Sequence, residues 1–226
     1  LRVGILSSGD EVVPPNEIPR PGQVRDINSY SLGAVVQQHG GVARYYGIVP
    51  DRYELLRDGI KKALSECDIV VVTAGSSVST RDMTAPVIQE LGQPGVLVHG
   101  INIRPGKPTI FAVCDGKPVI GLPGNPVSAL VIASLFMGTI MDHMLGVKSN
   151  PLHKVNARLK SNLSFVAGRE NWIPVQVTQT ENGLVAEPVF FKSSLIFSLV
   201  RANGLAYIPT EYVEINAGDD IQVLLL

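Results

Sequence analysis

The chain has 226 residues, 45% of them hydrophobic and 17% charged, with 19 Lys and Arg against 20 Asp and Glu. At ~150 residues per domain this allows one large or two small domains, and a mean hydropathy of +0.22 excludes a charge-extended disordered chain. A formal net charge of −1 and a pI near 6.5 leave no global basic field, so no nucleic-acid partner is expected.

The longest nearly apolar run, Ala129–Met141, has 13 residues. A membrane span needs ~18 or more, so no membrane association is expected. Cys67 and Cys114 lie too far apart for a zinc knuckle and are too few for a disulfide framework, which fits a reducing cytoplasm. The chain opens with the strand-like Leu1–Leu6 and no basic n-region, so no secretory signal is read. It lacks an initiator Met, and its first core strand has no lead-in, so it reads as a piece of a longer protein.

In chain order, Val3–Ser7 reads as a buried strand, followed by a Pro/Gly-rich loop. A helix from Asn28 to about His39 is stopped by Gly40-Gly41. Val42–Val49 is a strand and Tyr53–Glu66 an amphipathic helix carrying Leu55, Leu56, Ile60 and Leu64. The run Asp68–Thr73 is β-branched and apolar, as a central parallel strand should be. A Gly/Ser loop, a helix from about Asp82 to Leu91, and strands near Val96–Ile101, Thr109–Val113 and Pro118–Leu122 follow. A long apolar helix from Asn125 to Leu145 ends this part. The alternation predicts an α/β domain, a doubly wound and mostly parallel sheet, over residues 1–148. After the punctuation at Gly146–Leu152 the pattern changes to short strands: His153–Lys160, Trp172–Thr178, Leu184–Val189, Leu205–Ile208 and Ile221–Leu226, with a possible turn at Ser193–Val200. Residues 149–226 therefore read as a small all-β, partly open barrel.

In a doubly wound sheet, ligands bind outside the carboxyl ends of the strands. The segments that follow the strands are Ser7–Glu11, Val49–Asp51, Thr73–Asp82, Ile103–Pro108 and Gly121–Ser128. They hold acids, the cations Arg104 and Lys107, and Gly/Ser-rich backbone. Carboxylates suit a hard Mg²⁺, and cations and helix N-termini attract oxyanions. Such neighbours are expected where a metal bridges protein acids to substrate phosphate. Asp51 and Asp82 follow what read as adjacent strands and are expected a few ångströms from one metal–pyrophosphate position. Each piece also has a plain reading: Asp10 and Glu11 as a solvated turn, Asp51 beside a helix N-cap, Asp82 as first-turn helix charge, Asn125-Pro126 as ordinary helix-start chemistry. Gly100–Lys107 fails the P-loop spacing, no G-x-G-x-x-G or nucleophile elbow is present, and His39, His99, His143 and His153 lack metal-ligand spacing. Asn162-Leu163-Ser164 is a chance sequon.

Taken together, Ser8-Gly9-Asp10-Glu11, Pro21-Gly22-Gln23-Val24-Arg25-Asp26-Ile27-Asn28, Gly47–Asp51, Gly75–Asp82, Arg104-Pro105-Gly106-Lys107-Pro108 and Gly121–Ser128 resemble, in order, the motifs of the molybdopterin molybdenumtransferase family, which includes the E domain of gephyrin. Gly168-Arg169 and Ala202–Pro209 extend the resemblance through the β-domain. It implies insertion of molybdate into adenylyl-molybdopterin with Mg²⁺ and release of AMP, in a full-length protein that is a homodimer with two further domains. By matching position, Glu11, Asp51, Asp82 and Lys107 correspond to catalytic residues, Asp51 and Asp82 also to metal ligands. Arg104, Lys107, Ser128 and Arg169 match positions associated with molybdate or phosphate oxygens. Gly75, Ser76, Ser77, Ser79, Gly106, Pro123, Gly124 and Asn125 complete the cofactor-binding set. Two departures stand out: Gly75–Thr80 replaces a Gly-Gly-Val-Ser-Val-Gly loop and is one residue shorter before Asp82, and Arg104 stands where Lys is typical. Rival readings are a molybdopterin adenylyltransferase, which normally ends near the Asn125–Leu145 helix, and a non-catalytic cofactor-binding or scaffold module.

Overall fold

The β-branched run 68–73 lies in the middle of a sheet. Strands β1 (Arg2–Ser8), β2 (Val42–Val49), β3 (Ile69–Ala74), β4 (Pro94–His99), β5 (Ile110–Cys114) and β6 (Lys117–Pro123) pair in the order β2-β1-β3-β6-β5-β4. The β1–β2, β1–β3 and β3–β6 pairings are parallel, whereas β5 is antiparallel to both β6 and β4. β4 therefore runs in the same direction as β6, and every strand except β5 ends on one edge. Every residue of β3 is buried, as a strand covered on both faces must be. The computed structural model describes residues 1–74, 78–147, 154–189 and 194–226, with the side chains of 78–82 and 198 excepted.

Four helices cover the sheet: α1 (Asn28–Gln38), α2 (Tyr53–Glu66), α3 (Val78–Glu90) and α4 (Pro126–Met144). Leu56, Ile60 and Ala63 of α2 and Ala85, Val87 and Ile88 of α3 share one core with Leu6, Val70, Val72 and Val119. Neighbouring positions Ile5, Val71 and Ile120 point the other way along each strand, toward α1 and α4, following the two-residue repeat of a strand. Leu55, expected on the apolar face of α2, is 42% exposed. The inward stripe uses Leu56, Ile60 and Ala63 instead, at i, i+4 and i+7.

α4 is longer than the apolar run read from sequence. It has 19 residues and is long and apolar enough, by length and composition, to cross a membrane, yet more than half of its most apolar window is buried inside the protein. That is the pattern of a core helix. It carries a π-helical turn at Ala133–Met137, followed by Gly138. A Cβ at Gly138 would lie 2.4 Å from His39 Nε2, and His39 Nδ1 is 2.8 Å from Asp142 Oδ1. The missing side chain thus lets the end of α1 dock on α4.

Residues 1–101 and 106–147 form one compact unit; Asn102–Pro105 belong with the residues after 147 in a second. In that second unit β7 (Lys154–Leu159), β8 (Glu170–Thr180), β9 (Gly183–Pro188), β10 (Gly204–Ile208) and β11 (Asp220–Leu225) pair in the order β9-β7-β11-β10-β8, and β8 returns to β9. The barrel is closed, where the sequence suggested a partly open one. The parallel β7–β9 pairing and the β8–β9 hairpin seal it. Its interior is filled by Ala157, Leu159, Val175, Ala186, Ala206, Ile208 and Val223. The short strand Ile103–Arg104 pairs in parallel with Glu170-Asn171, which takes Arg104 out of the α/β unit where the sequence placed it.

Candidate ligand site

The carboxyl edge of the sheet carries a buried polar cluster. Ser7 Oγ donates to Asp26 Oδ1 at 3.0 Å and lies 3.0 Å from Thr73 Oγ1. Ser29 donates to Asp26 twice, from its main-chain N–H at 3.1 Å and from its hydroxyl at 2.6 Å. Asp26 caps α1 from just outside the helix, a job the N-cap residue Ile27 cannot do. The same carboxylate ties the last turn of β1 to α1, and through Ser7 to the end of β3. Asn28 Nδ2 donates to the Gly124 carbonyl at 2.9 Å, fixing the loop between β6 and α4. Asp26 and Asn28 stand inside the quoted Pro21–Asn28 motif, but sequence reasoning gave them no role. A buried carboxylate among serines at strand ends is the signal that identifies them.

Beside this cluster, Ser8 Oγ donates to Asp51 Oδ1 at 3.0 Å, and the Asp51 main-chain N–H donates to Asp10 Oδ1 at 3.1 Å. Glu11 is half-buried and folds back over Gly9, where a Cβ would lie 2.9 Å from Glu11 Oε2. The strands that lead to Asp51 and Asp82 are not adjacent, contrary to the sequence reading: β1 stands between β2 and β3. Two strand spacings separate those strand ends by roughly 10 Å. The bond to Ser8 leans Asp51 over the end of β1 and toward β3. Asp82 lies in the first turns of α3, which begins at Val78 rather than near Asp82, so Ser79 is also helical. The side chains of Asp82 and Ser79, and residues Gly75, Ser76 and Ser77, lie outside the described residues.

The loop from His99 to Thr109 is closed by main-chain bonds, Gly100 N–H to the Thr109 carbonyl at 2.8 Å and Ile101 N–H to the Lys107 carbonyl at 2.9 Å. Gly106 sits at φ +127°, with its α-carbon so close to α4 that a Cβ would meet Ile132 Cδ1 at 2.4 Å. Lys107, next to it, is exposed. Pro123 is buried at the end of β6, Gly124 is half-buried, and Asn125 is the N-cap of α4 with Pro126 at the first helical position. The Asn125 side chain makes no cap bond and is exposed, so the helix start remains open to an anion. Ser128 is buried in the first turn of α4. In the second unit, Arg104 pairs in register with Asn171, and Arg169 precedes that strand; Asn171 Nδ2 donates to the Arg169 carbonyl at 2.8 Å. The two arginines thus share one corner of the barrel, whereas Lys107 belongs to the α/β unit.

Among the described residues no three His, Cys, Asp or Glu side chains gather into a metal cage. The Asp51 carboxylate is a hard oxygen donor of the kind Mg²⁺ takes, and Mg²⁺ keeps most of its octahedral shell for water and phosphate oxygens.

The carboxyl edge of this α/β unit thus carries Asp10, Glu11 and Asp51, with Lys107 and the start of α4 in the loops that follow its strands. Residues 4–143 match the family described as "probable molybdopterin binding domain" and residues 156–226 match the MoeA C-terminal region (domain IV), and the chain belongs to this family of molybdopterin molybdenumtransferases. It is 32% identical, over its whole length, to a molybdopterin molybdenumtransferase of a Nostoc species, and 30% identical over 99% of its length to one of Haemophilus influenzae, covering 53% and 55% of those proteins. A crystal structure of a molybdopterin biosynthesis MoeA protein from Pyrococcus horikoshii superposes with a TM-score of 0.85 at 37% identity, over 99% of this chain and 54% of that one. The chain spans about half the length of the curated relatives it matches.

Proposed function

We propose that this chain takes part in the insertion of molybdate into adenylyl-molybdopterin, with release of AMP and the completed cofactor. The observation that carries this reading is the convergence on one sheet edge of Glu11, Asp51, Lys107 and the open start of α4, in a chain of this family. Lys107 and the first N–H groups of α4 bind oxyanion charge, with Ser128 beside them. The family resemblance assigns further cofactor oxygens to Gly75, Ser76, Ser77 and Ser79, and to Arg104 and Arg169. Asp51 and Asp82 would hold Mg²⁺, which would supply positive charge for phosphate oxygens when bound. Ser8 and Asp10 orient Asp51 for that task. The working protein is a homodimer.

The match to the MoeA C-terminal region over 156–226 favours this reading over an adenylyltransferase, whose chain stops near the last helix of the α/β unit. The test is a single-turnover assay with adenylyl-molybdopterin, molybdate and Mg²⁺, following AMP. The chain should release AMP in a molybdate-dependent way, and Asp51→Asn should slow that release at least tenfold, about 1.4 kcal/mol of barrier. Equal rates with and without molybdate defeat the reading.

A further inference from the structure

An open cavity of about 30 Å³ lies where β3 and β6 end. It is walled by Ala74 of β3, Leu122 and Pro123 of β6, Pro108 of the 100–109 loop, Thr84 of α3, and His99, the last residue of β4. A water molecule needs ~10–15 Å³ of such room, so the space is on the scale of two or three oxygen atoms of a small oxyanion.

Among the described residues, His99 is the one titratable side chain on this wall. The main-chain bonds of Gly100 and Ile101 immediately after it hold His99 at the mouth of the loop that brings back Lys107 and Pro108. Its ring nitrogens have no hydrogen-bond or ion-pair partner among the described residues. A neutral imidazole always carries one N–H donor, and a charged one carries two. A donor without a partner among the described residues, on the wall of a small cavity that Pro108, the residue after Lys107, also walls, has the placement of a ligand contact.

We propose that His99 is a substrate-contacting residue that donates a ring N–H to an oxygen of the tetrahedral oxyanion bound beside Lys107. The inference rests on the anion-binding reading of this edge given above. It adds a neutral or cationic donor to a site otherwise assigned to Lys107 and helix N–H groups. It also explains why an exposed imidazole stands among apolar and proline walls. A plain surface histidine would bear no relation to anion affinity.

Molybdate is titrated calorimetrically into the chain at fixed pH and ionic strength, for wild type, H99A, H99Q and K107A, with thermal midpoints measured alongside. H99A should bind about tenfold more weakly, as expected for loss of one hydrogen bond to a charged partner. H99Q, whose amide retains an N–H donor, should recover most of that loss, and the midpoints of both should stay within 1–2 °C of wild type, as is usual for an exposed position (~0.5 kcal/mol or less). Wild-type affinity in H99A, with K107A weakened, overturns the role of His99 and leaves the anion site standing. Weak binding by H99A and H99Q alike also overturns it, since the donor would then not be what matters. No molybdate binding by wild type overturns the anion site itself, and this inference with it.

Discussion

Ser8 Oγ donates a hydrogen bond to Asp51 Oδ1 at 3.0 Å, joining the last residue of β1 to the acid that follows β2. Ser8 is only 1% exposed, so its hydroxyl has no water to turn to and its direction is set by Asp51. The bond draws Asp51 across the end of β1, into the gap between the two strands whose loops carry the proposed metal acids. Ser8→Ala should therefore cost little stability, about 0.5–1.5 kcal/mol, yet weaken Mg²⁺-dependent binding of a phosphorylated ligand several-fold. Melting and titration on the same samples check it; unchanged affinity would remove Ser8 from the site.

Asp26 is a larger structural commitment. It is 7% exposed and accepts from the Ser7 hydroxyl, the Ser29 hydroxyl and the Ser29 main-chain N–H. Asp26→Ala leaves those buried donors unsatisfied, at ~1–3 kcal/mol for each that finds no other partner. A loss of about 2–4 kcal/mol is expected in denaturant unfolding, with Asp26→Asn losing less because one acceptor survives. Equal stability of Asp26→Ala and wild type would show that the cluster is not a structural hub.

Gly106 faces two obstacles to any side chain, a φ of +127° and Ile132 Cδ1 at 2.4 Å from a built Cβ. Ile132 is fully buried, so it has no open side to retreat to. Gly106→Ala should destabilise by about 2–4 kcal/mol from strained backbone and overpacking together. Adding Ile132→Ala should relieve only the packing part, so the double variant is less destabilised than the two single losses added. Strict additivity would place the whole cost in the backbone.

Much of this was legible in the sequence for local reasons. β3 announces itself as a run of Ile, Val and Thr, and the helix at Pro126 by Asn125-Pro126 ahead of apolar residues. What the sequence did not reveal depends on which distant segment lies alongside which. Strand period says nothing about order across a sheet, so the insertion of β1 between β2 and β3 went unread and Asp51 and Asp82 seemed closer than their strands are. Arg104 joins the barrel because a two-residue strand pairs with residues 67 positions later (170 − 103 and 171 − 104), at Glu170 and Asn171, and no local pattern encodes that. Asp26 and Asn28 were visible as letters of a motif. Their function in tying strand ends together appears only once Ser7, Thr73 and Gly124 are seen beside them.

Alkaline pH offers a test remote from the site. Tyr46 on β2 donates to Glu66 Oε2 at 2.8 Å and lies 3.4 Å from Cys67 Sγ at the end of α2. Burial first, then the bonds to Cys67 and Glu66, push its phenol above the ordinary value of 10.0. The folded protein thus keeps a proton that the unfolded chain loses above about pH 10. This contribution to stability is complete below that pH and declines as pH rises beyond it. Tyr46→Phe should make the alkaline decline of the unfolding free energy shallower, and an identical slope in both proteins would contradict the assignment.

If the carboxyl edge of the α/β unit binds the anionic cofactor precursor, as proposed, Lys107 is the residue whose loss reports it most directly. A unit charge ~4 Å from an oxyanion gains ~4 kcal/mol at an effective dielectric near 20, before both partners are desolvated. A net loss of ~1–3 kcal/mol, roughly ten- to a hundredfold in affinity, is expected for Lys107→Ala. Lys107 is exposed and contributes nothing to the core, so the thermal midpoint should not move. The measurement is a titration of wild type and Lys107→Ala with adenylyl-molybdopterin in the presence of Mg²⁺ at fixed ionic strength, with melting curves on the same samples. Saturable binding by wild type, lost ten- to a hundredfold in the variant at about the same midpoint, is the expected result; equal affinity in the two, or no binding by wild type, would contradict it.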